Sequence, residues 1–208
     1  MSDTPRIINA KFVFSLPKWN TKRTELTRPQ ICFAGRSNVG KSSLINALVN
    51  QSNLAKTSST PGRTQAIITF EATLRCGEKN LPLHIIDLPG YGYAKVPVEM
   101  KAGWRPMMES FFRGNDKLRC CVMLLDIRRD PKEEELELLE MAEEINVPVL
   151  PVVTKTDKVP KTQRMKEIRR IAKALALEDH RDLRQVSVLE KSGMGELLED
   201  LFAILDAE

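Results

Sequence analysis

The stretch from Ile31 to Leu48 constrains the fold of this chain more than any other part of its sequence. It consists of an apolar run, a glycine-containing loop and an apolar stripe at helical spacing, in that order. Its central part reads Gly35-Arg36-Ser37-Asn38-Val39-Gly40-Lys41-Ser42-Ser43 and contains a full match to G-x-x-x-x-G-K-[ST], the phosphate-binding P-loop. The order of strand, loop and helix is the setting in which this motif binds a phosphate.

The residues of this loop are suited to hold the phosphates of a nucleotide. Glycines let backbone N–H groups curl around a phosphate, and the N-terminus of the following helix adds its positive dipole end. Lys41 is expected to reach the β- and γ-phosphates, and the hydroxyl of Ser42 to bind magnesium. We therefore predict that all nine residues from Gly35 to Ser43 contact a nucleotide. The alternative is an ordinary glycine turn before a helix.

Composition restricts the class of protein. The length of 208 residues fits one domain with short extensions, and the apolar and charged fractions are those of a soluble globular protein. No apolar run approaches membrane-spanning length and the first residues lack a signal-peptide core, so we expect a cytoplasmic protein. Three of the four cysteines, Cys32, Cys120 and Cys121, lie in apolar runs and are expected to be reduced core residues.

The remaining pattern alternates strands with helices. Two segments, 66–74 and 81–87, are predicted to form a hairpin. The later elements are predicted as a helix around 100–112, a strand at 120–125, a helix at 131–145, a strand at 147–153, a helix at 161–177, a strand at 186–189 and a helix at 194–205. This order predicts an α/β fold with three layers and a mostly parallel six-stranded sheet that has one antiparallel edge strand. Residues 1–28 are interpreted as an extension packed on a domain that covers 29–208.

A second motif, Asp87-Leu88-Pro89-Gly90, has the form D-x-x-G and follows an apolar strand. The carboxylate of Asp87 can hold magnesium through water, and the backbone N–H of Gly90 can bond a γ-phosphate. By itself D-x-x-G usually marks a turn. Its position behind a P-loop favours a functional role for all four residues.

A third motif, Thr154-Lys155-Thr156-Asp157, matches the guanine-reading pattern [NT]-K-x-D. The carboxylate of Asp157 can accept from both N1–H and the 2-amino group of guanine, and adenine offers neither donor. The stem of Lys155 can pack on the face of the base. The alternative is a surface loop in which Asp157 precedes or caps the helix that begins at Lys161. The segment Val186-Ser187-Val188 is expected to direct backbone N–H groups at the guanine O6.

The polar segment between the P-loop and Asp87 can supply the last part of the site. A threonine in a mobile loop can complete a magnesium shell only while the γ-phosphate is present, and loss of that phosphate would release the loop. Thr64 is the candidate and Thr60 the alternative. The predicted contacts of this segment come from Gly62, Arg63, Thr64, Gln65 and Ala66.

With these motifs in place, the chain closely resembles the EngB family within the TrmE–Era–EngA–EngB group of GTPases, over roughly residues 7–206. The resemblance implies a Ras-like P-loop GTPase fold, magnesium as a cofactor, and a bacterial cytosolic protein needed for assembly of the large ribosomal subunit. It also implies a requirement in septation and cell division. The ribosomal partner is implied by the resemblance alone.

The chain departs from related patterns at several positions. Val188 stands where EngB-like chains commonly have serine, but its backbone N–H remains, so recognition of O6 need not be lost. Thr154 stands where most GTPases have asparagine, and its single hydroxyl can bond fewer loops than an amide, so we predict micromolar nucleotide affinity. Tyr91 occupies the place of the water-orienting glutamine of Ras-like enzymes, so intrinsic hydrolysis should be slow and should depend on Lys41, Thr64 and Gly90. Asn38 either binds a potassium ion that assists hydrolysis or merely tolerates a strained turn.

Basic residues suggest where a ribosomal RNA partner could bind. The helix after the guanine motif carries six of them, and others occur near the N-terminus and after residue 127. They are Lys161, Arg164, Lys166, Arg169, Arg170, Lys173, Arg128, Arg129, Lys18, Lys22 and Arg23. A solvated helix face is the alternative. We expect a monomer with no membrane association, and a small-molecule kinase or an ATPase is the rival to a GTPase.

Overall fold

Seven strands form a single sheet in the computed structural model, which describes residues 4–16, 26–55, 66–92 and 104–207. Along the sheet they lie in the order β1-β3-β4-β2-β5-β6-β7. Their bounds are β1 Arg6–Leu16, β2 Gln30–Gly35, β3 Ile67–Cys76, β4 Lys79–Asp87, β5 Leu118–Asp126, β6 Val149–Thr154 and β7 Arg184–Gln185.

The sheet is parallel except for β3. Strand β2 pairs in parallel with β4 and β5, and the pairs β5–β6 and β6–β7 are also parallel. Strand β3 runs antiparallel to β4, as the predicted hairpin required, and also to β1. The predicted α/β fold with three layers and a mostly parallel sheet is thus confirmed. The predicted count of six strands is wrong by one, because residues 6–16 form an edge strand outside β3.

Strand β1 was missed because its sequence lacks a clean two-residue alternation. It pairs along one side only, and its register with β3 shifts between Ile7 and Asn9 and again between Phe12 and Phe14. Each shift turns the following side chains to the other face. The ring of Phe12 packs edge-on against Phe70 of β3 at 6.4 Å between centroids, so the strand is anchored to the sheet by more than its backbone.

Five helices cover the sheet among the described residues. Their bounds are α1 Lys41–Leu48, α2 Trp104–Arg113, α3 Glu133–Glu144, α4 Lys161–Ala174 and α5 Met194–Asp206. These agree with the predicted helices apart from their ends. The strand predicted at 186–189 is wrong, because β7 ends at Gln185 and the next residues form a loop. None of the described helices is long and apolar enough to cross a membrane.

Strand β2 shows why the fold has three layers. Ile31 and Phe33 point into the core on the side of α1 and α5, and Cys32 and Ala34 point into the core on the side of α2, α3 and α4. All are at most 1% exposed. A strand covered by helices on both faces is apolar at every position, which is the pattern of a parallel central strand. Cys32, Cys120 and Cys121 are buried thiols without a disulfide, as predicted.

This topology gathers the predicted motifs at one edge. The strands β2, β4, β5 and β6 run in the same direction, so the loops that follow them meet beside their carboxyl ends. The P-loop follows β2, the D-x-x-G motif follows β4, and the guanine motif follows β6.

Candidate nucleotide-binding site

The P-loop connects the end of β2 to the start of α1 through two residues with positive φ. Asn38 has φ 61° and Gly40, which precedes the first residue of α1, has φ 108°. The left-handed backbone of Asn38 is one that asparagine tolerates better than most residues. The loop is fixed to the segment after β4, because the N–H of Ser37 donates to the carbonyl of Tyr91 over 2.8 Å.

The first residue of α1 contacts the last residue of β4. The ammonium of Lys41 forms an ion pair with Oδ1 of Asp87, and both residues are more than 90% buried. The next residue, Ser42, is half-buried, whereas Ser43 is exposed. The structure therefore brings together the lysine predicted to bind phosphate and the carboxylate predicted to hold magnesium, which belong to separate motifs. Ser43 lies on the outer side of the helix start.

The D-x-x-G loop packs directly on the P-loop. The N–H of Leu88 donates to the carbonyl of Phe33 over 3.1 Å, and Leu88 and Pro89 are buried. Gly90 is so close to Ser37 that an added Cβ would lie 2.9 Å from its Oγ and 3.2 Å from its backbone nitrogen. This close approach requires glycine at position 90.

Tyr91 points into the protein core. Its side chain is 4% exposed and its ring lies 4.7 Å from that of Trp104, measured between centroids. Burial, together with the nearby Glu135 carboxylate, raises the pKa of Tyr91 well above its usual value. Arg36 lies alongside: it donates to the carbonyl of Gly92 over 3.3 Å and pairs with Glu134 of α3 at 3.3 Å.

The guanine motif binds the P-loop through two consecutive residues. The hydroxyl of Thr154 lies 2.7 Å from the carbonyl of Val39 and 3.1 Å from that of Leu125. The ammonium of Lys155 donates to the carbonyl of Asn38. The threonine that replaces the usual asparagine therefore still contacts two carbonyl groups, although its single proton can be donated to only one at a time.

The carboxylate of Asp157 is oriented by its local turn and by a hydrogen bond. It lies in a short 3-10 turn, Thr156–Lys158, and its Oδ1 accepts from the hydroxyl of Ser187 over 2.7 Å. Burial alone raises the pKa of Asp157, but hydrogen bonds from Ser187 and Lys158 outweigh burial and lower the pKa below its usual value. The residue stays ionised at neutral pH. It does not cap α4, whose N-cap residue is Pro160 without a side-chain cap.

The last predicted loop is closed by a pair of serines. The N–H of Ser187 donates to the carbonyl of Ser192 over 3.1 Å, and the N–H of Ser192 donates back over 3.0 Å. Gly193 follows with φ 77°, and an added Cβ there would lie 1.8 Å from the carbonyl oxygen of Gln185. Val186 is buried against β6, whereas the side chain of Val188 is 38% exposed.

Asp126 was not predicted from the sequence, although it lies beside the guanine motif. It ends β5, is 6% exposed, and its Oδ2 is 3.1 Å from the ammonium of Lys155 and 2.7 Å from Arg128. Burial alone raises the pKa of Asp126, but hydrogen bonds from Arg128 and Lys155 outweigh it and lower the pKa to about 2. The sequence did contain a signal for this residue, because Asp126 comes directly after the apolar run 120–125, as Asp87 comes after the apolar end of β4.

Part of the predicted site lies outside the described residues. This holds for the candidate switch segment with Thr60, Gly62, Arg63, Thr64 and Gln65, and for the basic residues Lys18, Lys22 and Arg23. Ala66 is described, half-buried, directly before β3.

Comparison with known proteins agrees with this geometry. Residues 30–155 match the family model described as "50S ribosome-binding GTPase". The chain is 46% identical to the "Probable GTP-binding protein EngB" of Syntrophotalea carbinolica over 181 residues, which is 86% of this chain and 84% of that protein. It is 48% identical to the protein of that name from Citrifermentans bemidjiense over 165 residues, 79% and 73% of the two chains.

A crystal structure of a probable GTP-binding protein EngB has the same fold, with a TM-score of 0.66 over 86% of this chain and 100% of that one at 23% identity. The family match spans the P-loop, the D-x-x-G motif and the first residues of the guanine motif. It contradicts the rival interpretations as a kinase or an ATPase. The chain therefore belongs to the EngB family of GTP-binding proteins and is a GTPase.

Proposed function

We propose that this GTPase is a cytoplasmic molecular switch in assembly of the large ribosomal subunit, with the nucleotide held by the residues of the three motifs. The observation that carries the nucleotide assignment is the position of Asp157. A carboxylate kept ionised and oriented by Ser187 stands on a loop that is bonded to the P-loop through Lys155. Base recognition and phosphate binding are thereby combined in one site.

The phosphates are assigned to the P-loop and to Lys41. The first residues of α1 offer backbone N–H groups and the positive end of the helix dipole, and Lys41 adds a full charge. In the described structure the ammonium of Lys41 forms an ion pair with Asp87. We infer that Lys41 turns toward the β- and γ-phosphates of GTP, while Asp87 becomes available to a cation.

Magnesium fits the oxygen atoms that the site presents. Asp87 is a carboxylate that is 1% exposed, and Ser42 supplies a hydroxyl on the adjacent helix start. Magnesium prefers such oxygen ligands and keeps several waters. A bound magnesium ion would neutralise charge that develops on the transferred phosphoryl group. Thr64 is the proposed third protein ligand.

Slow intrinsic hydrolysis belongs to the same proposal. The ring of Tyr91 is buried against Trp104 and its hydroxyl lies near the Glu135 carboxylate, so we infer that Tyr91 does not orient the attacking water. Hydrolysis is then left to Lys41, the N–H of Gly90 and Thr64, which stabilise phosphoryl charge without orienting the attacking water through an amide. A potassium ion beside Asn38 is a further proposal, and equal GTPase rates in potassium and sodium would rule it out.

Helix α4 is the proposed contact for ribosomal RNA. Lys166, Arg169 and Lys173 are exposed, lie on one face at i, i+3 and i+7, and form no ion pair with a described residue. Arg164 and Arg170 are instead engaged with Glu190 and Asp130. The face of α4 whose basic side chains are not ion-paired is therefore narrower than the sequence suggested. It suits the closely spaced phosphates of RNA.

The direct test is co-sedimentation with purified ribosomal subunits in the presence of a non-hydrolysable GTP analogue, GDP or no nucleotide. We expect association with the large subunit that depends on the nucleotide. Association with small subunits only, or none, would contradict the ribosomal proposal. A strain depleted of this protein tests whether defects in cell division follow the loss of large ribosomal subunits.

The α4 contact is tested by replacing Lys166, Arg169 and Lys173 with glutamine. The control replaces Lys79, Arg113 and Lys117 with glutamine, which gives the same change in net charge at side chains that are 40–68% exposed but ion-paired. We expect only the α4 variant to bind large subunits more weakly. Its plot of log binding constant against log salt concentration should be less steep by about 2. Equal effects of the two variants would assign the loss to net charge.

A further inference from the structure

A buried carboxylate lies behind the guanine motif and faces its lysine. Asp126 is the last residue of β5 and pairs in register with Thr154 of β6, one residue before Lys155. Its side chain is 4% exposed, and its Oδ2 lies 3.1 Å from the ammonium of Lys155. The same ammonium donates to the carbonyl of Asn38 in the P-loop. The lysine head is therefore bonded on one side to Asp126 and on the other to the P-loop.

The stem of this lysine also follows the P-loop. A Cβ added to Gly40 would lie 3.8 Å from Cε of Lys155, which is ordinary van der Waals contact. The backbone of Lys155 is left-handed, with φ 58°. A long side chain on a strained backbone has many alternative rotamers, and fixing one of them before a ligand arrives removes an entropy cost from binding.

We propose that Asp126 is a positioning residue for nucleotide binding, which fixes Lys155 across the P-loop so that its stem is in place for the guanine base. This inference rests on the proposed role of the guanine motif. Asp126 touches neither the base nor the phosphates in this scheme, and it acts through Lys155. Its loss should weaken GDP and GTP to the same extent, because both carry the same base. It should leave discrimination by the 2-amino group unchanged, because Asp157 reads that group.

Arg128 offers the competing explanation. Oδ1 of Asp126 accepts from the backbone N–H of Arg128 over 3.1 Å and from its Nε over 2.8 Å, so the carboxylate also stabilises the turn after β5. Loss of Asp126 could then weaken the site by loosening the turn. Asparagine at 126 keeps an oxygen for the backbone N–H of Arg128 but removes the charge that Lys155 faces. Alanine at 128 removes the arginine side chain, which is 46% exposed, and keeps the pair with Lys155.

The test is a double-mutant cycle on nucleotide affinity, measured by titration with fluorescent GDP and a GTP analogue. The variants are Asp126→Asn, Arg128→Ala, Lys155→Met and the double variant Asp126→Asn with Lys155→Met. We expect Asp126→Asn to raise both dissociation constants roughly tenfold, the size typical of a lost charged hydrogen bond. Arg128→Ala should stay within about twofold, and the double variant should be no weaker than Lys155→Met alone.

Two further readouts separate positioning from general damage. The affinity ratio of GTP to ITP, which lacks the 2-amino group, should be unchanged in Asp126→Asn, and kcat at saturating GTP should change less than KM. Thermal unfolding without nucleotide checks the fold, and Asp126→Ser supplies the same comparison if the asparagine variant does not fold.

The possible failures are distinguishable. Additive losses in the cycle, or an equal loss in Arg128→Ala, would overturn the role of Asp126 while leaving the guanine motif intact. Unchanged affinity in Lys155→Met would overturn both this inference and the proposed role of Lys155.

Discussion

The hydroxyl of Ser187 donates a 2.7 Å hydrogen bond to Oδ1 of Asp157, although the two residues are 30 positions apart in the chain. The same oxygen of Ser187 accepts from the N–H of Glu190 over 3.0 Å, so the hydroxyl proton has only one direction to point. The carboxylate proposed to read the base is thus oriented by a side chain from the last loop. That loop was predicted to contribute only backbone groups.

Replacing Ser187 with alanine should weaken guanine binding. The variant loses one charged hydrogen bond to Asp157, so we expect the dissociation constant of GDP to rise about tenfold. The preference for GTP over ATP should fall by a similar factor, because the orientation of the carboxylate matters only for guanine. Competition binding with the two nucleotides measures this. Val188→Ala, at an exposed side chain of the same loop, is the control and should leave both values within about twofold.

A methyl group at position 90 should impair hydrolysis. The Cβ of Gly90→Ala would meet Ser37 at 2.9–3.2 Å, so the D-x-x-G loop must move away from the P-loop. We expect single-turnover GTP hydrolysis to slow at least tenfold, with a smaller effect on GDP affinity because GDP has no γ-phosphate. Gly195→Ala is the matched control, since no atom lies within 4 Å of its Cβ. A hydrolysis rate for Gly90→Ala equal to that of the control would contradict the assigned contact.

The phenolic hydroxyl of Tyr91 should be dispensable for hydrolysis. Since the ring is buried against Trp104, Tyr91→Phe keeps the packing and removes a group that faces the core. We expect its GTPase rate to stay within about twofold of the wild-type rate. Tyr91→Ala should lower the free energy of unfolding by about 3 kcal/mol or more, because it leaves a large cavity. A tenfold loss of hydrolysis in the phenylalanine variant would show that the hydroxyl takes part in the reaction.

His84 should make stability depend on pH below neutrality. Burial lowers the pKa of His84, and Arg28 lowers it further while Glu71 opposes the shift. The unfolded chain, in which histidine has a pKa of about 6.5, then binds the proton more tightly than the folded protein. The free energy of unfolding should therefore fall as the pH drops below that value.

Urea unfolding between pH 5 and 7.5 tests this dependence. We expect His84→Gln to have a flatter profile than the wild type in that range. Parallel profiles for the wild type and His84→Gln would mean that another group causes the dependence.

The parts of the fold that depend on local pattern were predictable. Strand β2, the P-loop and the start of α1 follow from an apolar run, two glycines and a helical stripe, and the α/β alternation fixed the direction of most strands. Strand β1 was not predictable in this way, because it takes its register from β3 and shifts twice along its length. The final strand was misplaced because Val186 is apolar and buried by β6, yet lies in a loop.

The candidate site also has parts that the sequence could predict and parts that it could not. Lys41, Asp87 and Asp157 belong to motifs with fixed spacing, so the sequence could indicate them. The contacts among motifs could not be predicted, because they depend on how the ends of β5 and β6 lie beside the P-loop. Asp126 illustrates this: only the register with Thr154 places its carboxylate against Lys155.

Gly193 has a consequence for how variants of this protein should be interpreted. Any side chain at that position would collide with the carbonyl of Gln185 and push α5 away from β7. The turn that carries Ser187 would move with it, since Ser187 and Ser192 are joined by two backbone hydrogen bonds. A substitution at Gly193 would therefore be scored in a genetic screen as a loss of nucleotide selectivity, although the residue lies at the start of a helix outside all three motifs.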